Sequence, residues 1–176
     1  MRLRPIVLVL PTLLCLAAAV SCSDSGSSDD DSGPIGARQL DGTNLCTLLS
    51  TDTMAKLLGV KKLERDPTAG ASDDCGWTAP VDGAADGKLQ MNSFYVMEVG
   101  QQTTIGGLRA RRLIQSTGCE ISIDTTGATD PAGESGKADP ALRVWFLGPA
   151  DSFDDAKNCK AASRLAVAAM RALPEG

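Results

Sequence analysis

Cys119-Glu120-Ile121-Ser122-Ile123-Asp124 is the stretch of this chain that most directly predicts its fold. Apolar and polar residues alternate with a period of two, which is typical of a strand with one face toward a core and the other toward solvent. Similar stretches occur at residues 75–78, 88–99, 109–115 and 142–147. Within residues 88–99 the pattern places the larger side chains on one side of a single long strand. These side chains are Leu89, Met91, Tyr95, Met97 and Val99.

Two helices flank the predicted strands. Ser50 is a suitable N-cap for the first helix, Asp52 suits the positive end of its dipole, and Gly59 is suited to end it. We expect the final helix to open at Ser152, with Asp154 and Asp155 in its first turn, and to stop at Pro174. Its apolar face follows a spacing of three and four residues. That face consists of Cys159, Ala162, Leu165, Ala166, Ala169 and Leu173.

The order of helix, about five strands and helix predicts an α+β domain. Short turns between consecutive strands favour a mostly antiparallel sheet, and the two helices are expected to cover one of its faces. The predicted folded domain spans residues 40–174.

The N-terminus has the layout of an export signal. Arg2 and Arg4 precede an apolar run over residues 5–20, which Pro11 interrupts and which is short for a membrane span. Residues 19–22, Ala-Val-Ser-Cys, resemble a bacterial lipobox, in which the cysteine is acylated and becomes the new N-terminus. We therefore predict a signal peptide over residues 1–21 and lipid attachment at Cys22. Ordinary cleavage near Ser21, giving a freely secreted protein, is the alternative.

Residues 22–39 are predicted to be a disordered tether rich in Ser, Asp and Gly, because so little of this segment can be buried. Removing Arg2 and Arg4 with the signal would change the formal net charge from −5 to −7. An acidic chain of this kind repels phosphate backbones, so we expect no nucleic-acid partner.

Cysteine counting supports export. Cys15 leaves with the signal and Cys22 carries lipid, which leaves four cysteines and three possible pairings. The predicted layout favours Cys46–Cys75 and Cys119–Cys159, since each pair would join a helix to a strand beneath it. A zinc site is the alternative, but structural zinc sites usually contain close Cys-x-x-Cys pairs, and the smallest separation among these four is 29 residues.

The order of short motifs resembles that of actinobacterial lipoproteins catalogued as domain of unknown function 3558. Four stretches carry the resemblance besides the lipobox and tether: residues 45–49 with 54–59, Cys75-Gly76-Trp77, residues 107–110, and Gly118-Cys119 with the helix of Cys159. The resemblance implies a location in the actinobacterial cell envelope and the same disulfide pairing, and it implies no activity. A looser similarity to extracytoplasmic sensor domains of mycobacterial serine/threonine kinases implies ligand sensing.

Candidate binding residues are few. Arg109, Arg111 and Arg112 could hold an anion, although residues 109 and 111 share a strand face that 112 does not, and a solvated sheet surface explains all three. Trp77, beside a half-cystine, is expected to be a structural core residue. The acidic loop with Asp124, Asp130, Glu134 and Asp139 could bind calcium weakly, but it matches no EF-hand spacing.

Catalysis has little support in the sequence. The chain contains no histidine, so it lacks the usual base for a serine or cysteine nucleophile, and we predict neither a cofactor nor a metal. We expect a non-catalytic domain on the extracytoplasmic face of the cell membrane, anchored by its N-terminal lipid. It would bind a small ligand or an envelope protein through the open sheet face or the loop rim. A cell-envelope hydrolase with a carboxylate pair is the alternative.

Overall fold

The structure is a computed structural model that describes residues 33–70, 73–83, 85–115, 118–131, 139–149 and 154–176. The predicted signal peptide, Cys22 and the first part of the tether lie outside these ranges. Two α-helices, a short 3-10 helix and seven strands form the described domain. Their bounds are Leu45–Thr47 (3-10), Thr51–Leu58 (α1), Glu64–Arg65 (β1), Asp74–Ala79 (β2), Gly87–Tyr95 (β3), Gln101–Ile105 (β4), Leu108–Gln115 (β5), Gly118–Asp124 (β6), Pro140–Leu147 (β7) and Asp155–Ala172 (α2).

All seven strands form one antiparallel sheet in the order β1-β2-β3-β7-β6-β5-β4. The α+β class and the antiparallel sheet are confirmed, but the expected count of about five strands is too low. The two missed strands are β1, which has only two residues, and β4, whose Gln-Gln-Thr-Thr-Ile sequence lacks an apolar alternation. Gly106 and Gly107, with φ of 60° and 82°, form the two-residue turn from β4 to β5. A Gly-Gly pair before a strand was the sequence signal for this hairpin.

The predicted ends of α1 are confirmed. The Ser50 hydroxyl accepts a hydrogen bond from the Thr53 backbone N–H at 3.2 Å, and Gly59 ends the helix with φ of 72°. The predicted start of α2 is wrong, because Asp154 caps this helix and accepts from the Lys157 N–H at 3.1 Å. Ser152 lies outside the described residues.

The core lies between α2 and one face of the sheet. Cys119, Ile121 and Ile123 of β6 are fully buried there, and α2 packs against β6 and β7. Trp77 is 2% exposed and belongs to the same core. Alanines along α2 allow its backbone to approach the sheet closely.

Two disulfides connect the helical layer to the sheet. Cys46 of the 3-10 helix pairs with Cys75 of β2, and Cys119 of β6 pairs with Cys159 of α2. The Cα atoms are 5.3 Å and 5.0 Å apart. These are the two pairs that the sequence favoured, and each joins a helix to a strand.

The folded unit extends further toward the N-terminus than residue 40. Ile35 is 4% exposed, and its N–H donates to the Gly106 carbonyl at 3.0 Å. The Arg38 N–H donates to Thr125 O at 2.8 Å, and the Gln39 N–H donates to Pro174 O at 3.0 Å. Residues 33–39, assigned to the tether from the sequence, therefore belong to the compact unit Gly33–Gly176.

A connection crosses the second face of the sheet. β3 ends at Tyr95, and residues 96–100 pass over β7, β6 and β5 to reach the edge strand β4. From β3 to β4 the chain must cross four strand spacings, a distance of about 19 Å. The six Cα–Cα steps from Tyr95 to Gln101 span at most about 22 Å, so the connection must be nearly fully extended. The Met97 N–H donates to the Ser122 hydroxyl at 3.4 Å, which places this connection directly over β6.

This crossing corrects two sequence predictions. Residues 88–99 do not form one strand, and Tyr95 and Val99 are 54% and 61% exposed rather than part of an inward face. The polar residues Glu120, Ser122 and Asp124 of β6 are buried instead of solvated. The alternation of β6 correctly assigned the core side, but a segment distant in sequence covers the other side.

Candidate functional site

A depression lies on the second sheet face, beside the crossing connection. Its volume is about 460 Å³, which falls within the range of small-molecule sites. The strands supply the floor and residues 96–99 supply one wall, so the sheet topology itself creates the cavity. The lining residues are Phe94, Tyr95, Val96, Met97, Glu98, Val99, Leu113, Gln115, Glu120 and Arg143. We refer to this cavity as the groove.

Exposed apolar side chains form the rim of the groove. Phe94, Tyr95 and Val99 are 55%, 54% and 61% exposed, and the rings of Phe94 and Tyr95 lie 5.5 Å apart between centroids. Large apolar side chains clustered at this exposure are unfavourable in water unless something covers them. By contrast, Trp77 and Phe146 are 2% exposed in the core.

A partly buried ion pair forms the floor of the groove. Arg143 Nη2 contacts Glu120 Oε1, and Gln115 Nε2 donates to Glu120 Oε2 at 3.3 Å. The guanidinium of Arg143 also lies 4.9 Å from the centroid of the Phe94 ring, which is a cation–π distance. Burial lowers the pKa of Arg143 from its ordinary value, because the charged form loses solvation, but an arginine remains charged. The floor is therefore polar, while the rim is apolar.

A second, smaller depression of about 210 Å³ continues from the first. The two share Gln115, Glu120 and Arg143. The extension adds the side-chain amides of Gln90 and Asn92, next to Trp145. The Gln90 amide nitrogen donates to Asp74 Oδ1 at 2.8 Å, which holds this side chain in place. The combined surface thus has an apolar part, a charged centre and an amide-rich part with an indole.

The three arginines predicted as anion-binding candidates have different environments. Arg109 is buried on the second sheet face, and its Nε donates to Asp124 Oδ2 at 2.9 Å. Its Nη2 contacts Asp124 as well and lies 2.8 Å from Asp139 Oδ2. Burial alone would lower the pKa of Arg109, but hydrogen bonds and charge from Asp124 and Asp139 outweigh that effect and raise it. The solvated-surface explanation is therefore wrong for Arg109, which joins β5 to the β6–β7 connection.

Arg111 and Arg112 are half-buried and form no ion pair within the described residues. Arg111 shares the second sheet face with Arg109, and Arg112 lies on the helix-side face, as the strand period predicts. Arg112 Nη2 contacts Gln101 Oε1, and the Gln102 amide oxygen, when turned toward Arg111, lies 3.1 Å from its Nη2. None of the three arginines lines the groove.

The acidic loop does not assemble a calcium site in the described part of the chain. Asp124 accepts hydrogen bonds from the backbone and hydroxyl of Thr126 at 2.7 Å and 2.6 Å, and Asp139 binds Arg109. Glu134 lies outside the described residues. Within the described ranges, no three or more Cys, Asp or Glu side chains group to hold a metal ion.

The sequence predicts the open sheet face as a binding surface but marks none of the groove residues as a binding residue. Phe94 and Tyr95 lie within the predicted strand over residues 88–99, and Arg143 and Trp145 lie within the predicted strand over residues 142–147. The available signal was the pair of adjacent aromatics at the end of β3, in a chain with three Phe, two Trp and one Tyr. Their proximity to Arg143 depends on the pairing of β3 with β7.

The fold and the groove define the class of this protein: a disulfide-bonded α+β domain with a depression on the sheet face that α2 leaves open. Comparison of the chain with protein-family models, with curated proteins and with solved structures finds no match in any of the three. In the part of the chain that the structure describes, no helix is both long and apolar enough to cross a membrane.

Proposed function

We propose that this protein is an extracytoplasmic lipoprotein, anchored by lipid at Cys22, whose domain binds an apolar or amphipathic small ligand in the groove without transforming it. The observation that carries the binding proposal is the exposed rim of Phe94, Tyr95 and Val99 around the partly buried Glu120–Arg143 pair. On motif order alone, we also place the chain with the actinobacterial lipoproteins of domain of unknown function 3558.

The apolar rim and the polar floor of the groove match the two parts of an amphipathic ligand. Covering apolar surface stabilises a complex by about 25 cal/mol per Å², so a rim of two aromatic rings and a valine can supply several kcal/mol. The ion pair and the neighbouring amides can orient a polar group on the same ligand. An envelope protein that inserts an apolar side chain would use the same rim, and it is the second partner we consider.

The proposal disfavours a hydrolase with a carboxylate pair. Glu98 and Glu120 line the same groove and are the acids such an enzyme would use. Both oxygens of Glu120 are already engaged, Oε1 by Arg143 and Oε2 by Gln115. A carboxylate held in this way is poorly placed to transfer a proton to a glycosidic oxygen.

Binding in the groove is tested with Nile red, an uncharged apolar dye whose fluorescence increases in an apolar site. We expect saturable binding by the wild-type domain and at least about tenfold weaker binding by Val99→Asp, which places a charge in the apolar rim. Ile114→Asp is the matched control, because Ile114 is 51% exposed but lies on the helix-side face of β5. Equal loss of binding in both variants would show that the dye does not report on the groove.

Anchoring is tested separately by metabolic labelling with an alkyne-tagged palmitate. We expect the wild-type chain to carry the label and to partition with membranes, and Cys22→Ala to lose both properties. Cys15→Ala is the control, since it changes a cysteine that the signal peptide would carry away. A labelled Cys22→Ala variant would contradict the proposed attachment site.

A further inference from the structure

The outer edge of β4 has no neighbouring strand within the described residues. β4 is the last strand of the sheet, and Ile105 and Leu108 close its two-residue hairpin with β5. The two residues of such a closing pair form both backbone hydrogen bonds with each other. Along the ladder from there, hydrogen-bonded pairs alternate with non-hydrogen-bonded pairs. Thr103 therefore points its N–H and C=O toward Ala110, whereas Gln102 and Thr104 point theirs outward.

This edge lacks the usual protection against pairing. Natural edge strands are commonly blunted by Lys, by Pro, by a bulge or by being very short. The sequence of β4, Gln-Gln-Thr-Thr-Ile, contains neither Lys nor Pro, and its five residues pair with β5 without a bulge. The opposite edge strand, β1, has only two residues. In the described sheet, β4 is thus the edge best able to accept another strand.

The charge at this edge opposes that of the whole chain. Residues 99–119 contain three arginines and no acidic residue, although the formal net charge of the chain is −5. Arg109 is neutralised by Asp124 and Asp139, which leaves the charges of Arg111 and Arg112. These two lie directly opposite Gln102 and Gln101 of β4, and their guanidinium groups contact those side chains. Both cations are therefore drawn toward the free edge, one on each sheet face.

We propose that the β4 edge binds an extended acidic peptide segment of a partner protein by β-strand addition. The main chain of the peptide pairs with Gln102 and Thr104. Because neighbouring residues of a strand point to opposite faces, two consecutive acidic residues in the peptide meet Arg111 on one face and Arg112 on the other. This edge is separate from the groove and does not depend on the function proposed for it.

A flexible polyanion such as a phosphate polymer is the competing source of negative charge. It would contact the guanidinium groups, but it has no peptide backbone that could pair with the outward N–H and C=O groups of Gln102 and Thr104. The geometry favours a peptide because the cations flank an open main-chain edge instead of a concave pocket. The two ligands also differ in their response to a proline placed on the edge.

The experiment titrates the isotope-labelled full-length protein with the synthetic peptide Val-Thr-Asp-Asp-Thr-Val, capped at both ends, and follows backbone amides by NMR. We expect saturable shifts centred on Gln102 and Thr104, with a dissociation constant at or below about 1 mM. The variant R111Q/R112Q should weaken binding about tenfold, because two exposed charge pairs are lost. K61Q/K160Q is the control with the same change in net charge, at two exposed lysines far from the edge in sequence.

Thr104→Pro separates the peptide from the polyanion. Proline removes an outward N–H and keeps the Thr103–Ala110 pairing, so the domain should fold but lose the peptide. Inorganic polyphosphate is the second probe, and its binding should not change in Thr104→Pro. The proposal is overturned if the peptide gives no saturable shift up to about 1 mM. It is equally overturned if its shifts fall in the groove, or if Thr104→Pro binds it as well as the wild type does.

Discussion

Three arginines of β5 differ in burial, and we expect them to differ in their contribution to the free energy of unfolding. Single replacements by Gln at Arg109, Arg111 and Arg112 test this difference. Arg109 is 6% exposed in its side chain, and its partner Asp124 is 0% exposed. In Arg109→Gln, the Asp124 carboxylate stays buried and loses its cation, while among the described residues it keeps the two hydrogen bonds from Thr126. Breaking a buried pair in this way costs about 3–5 kcal/mol, because an uncompensated charge remains in the interior.

The same change at the other two positions should have little effect. Within the described residues, the guanidinium groups of Arg111 and Arg112 contact neutral glutamine side chains and no carboxylate, so we expect losses of about 0.5 kcal/mol. Urea unfolding measures the difference: a loss of about 4 kcal/mol at an m-value of about 2 kcal/mol/M lowers the midpoint by about 2 M. All three substitutions remove one positive charge, so the overall change in net charge is held constant.

A double variant tests the cause of the effect. Arg109→Met combined with Asp124→Leu removes the cation and its fully buried partner together, and we expect it to be more stable than Arg109→Met alone by at least about 1 kcal/mol. Equal losses for Arg109→Gln and Arg111→Gln would refute the reasoning, because they would mean that the Asp124 carboxylate reaches water without Arg109.

Three further outcomes follow from the fold. Removing the Cys119–Cys159 disulfide as a double alanine variant should lower the free energy of unfolding by about 4 kcal/mol in the chain-entropy model, measured by urea unfolding. Gly106→Ala should lower the midpoint of thermal unfolding more than Gly42→Ala does. Both glycines have positive φ, but only at Gly106 would the new Cβ lie 2.5 Å from Ile35 Cδ1. Ser50→Ala should cost about 1 kcal/mol in urea unfolding through loss of the α1 cap, and an unchanged midpoint would contradict the capping role.

Local patterns predicted much of this fold because they depend on neighbouring residues. The alternation of β6 identified Cys119, Ile121 and Ile123 as the core side, and the capping residues located both ends of α1. The order of the elements also suggested which cysteines meet. The strand β4 was missed because an edge strand needs no apolar face, and its only signal was the Gly106-Gly107 turn.

The groove depends on contacts between segments distant in sequence. Glu120 was predicted to face solvent, but Arg143, 23 residues later, and the connection over residues 96–100 bury it. Arg109 meets Asp139 across 30 residues, so its sequence neighbours could not reveal the ion pair.

The sequence by itself determined the paired cysteines, both helices, the approximate positions of five strands and the side of the sheet that forms the core. Only the tertiary structure decided which polar residues are buried and where the groove lies. The physical reason is that a polar side chain is stable in the interior only beside a partner that satisfies it. In this domain, chain segments far apart in sequence bring those partners to the second sheet face.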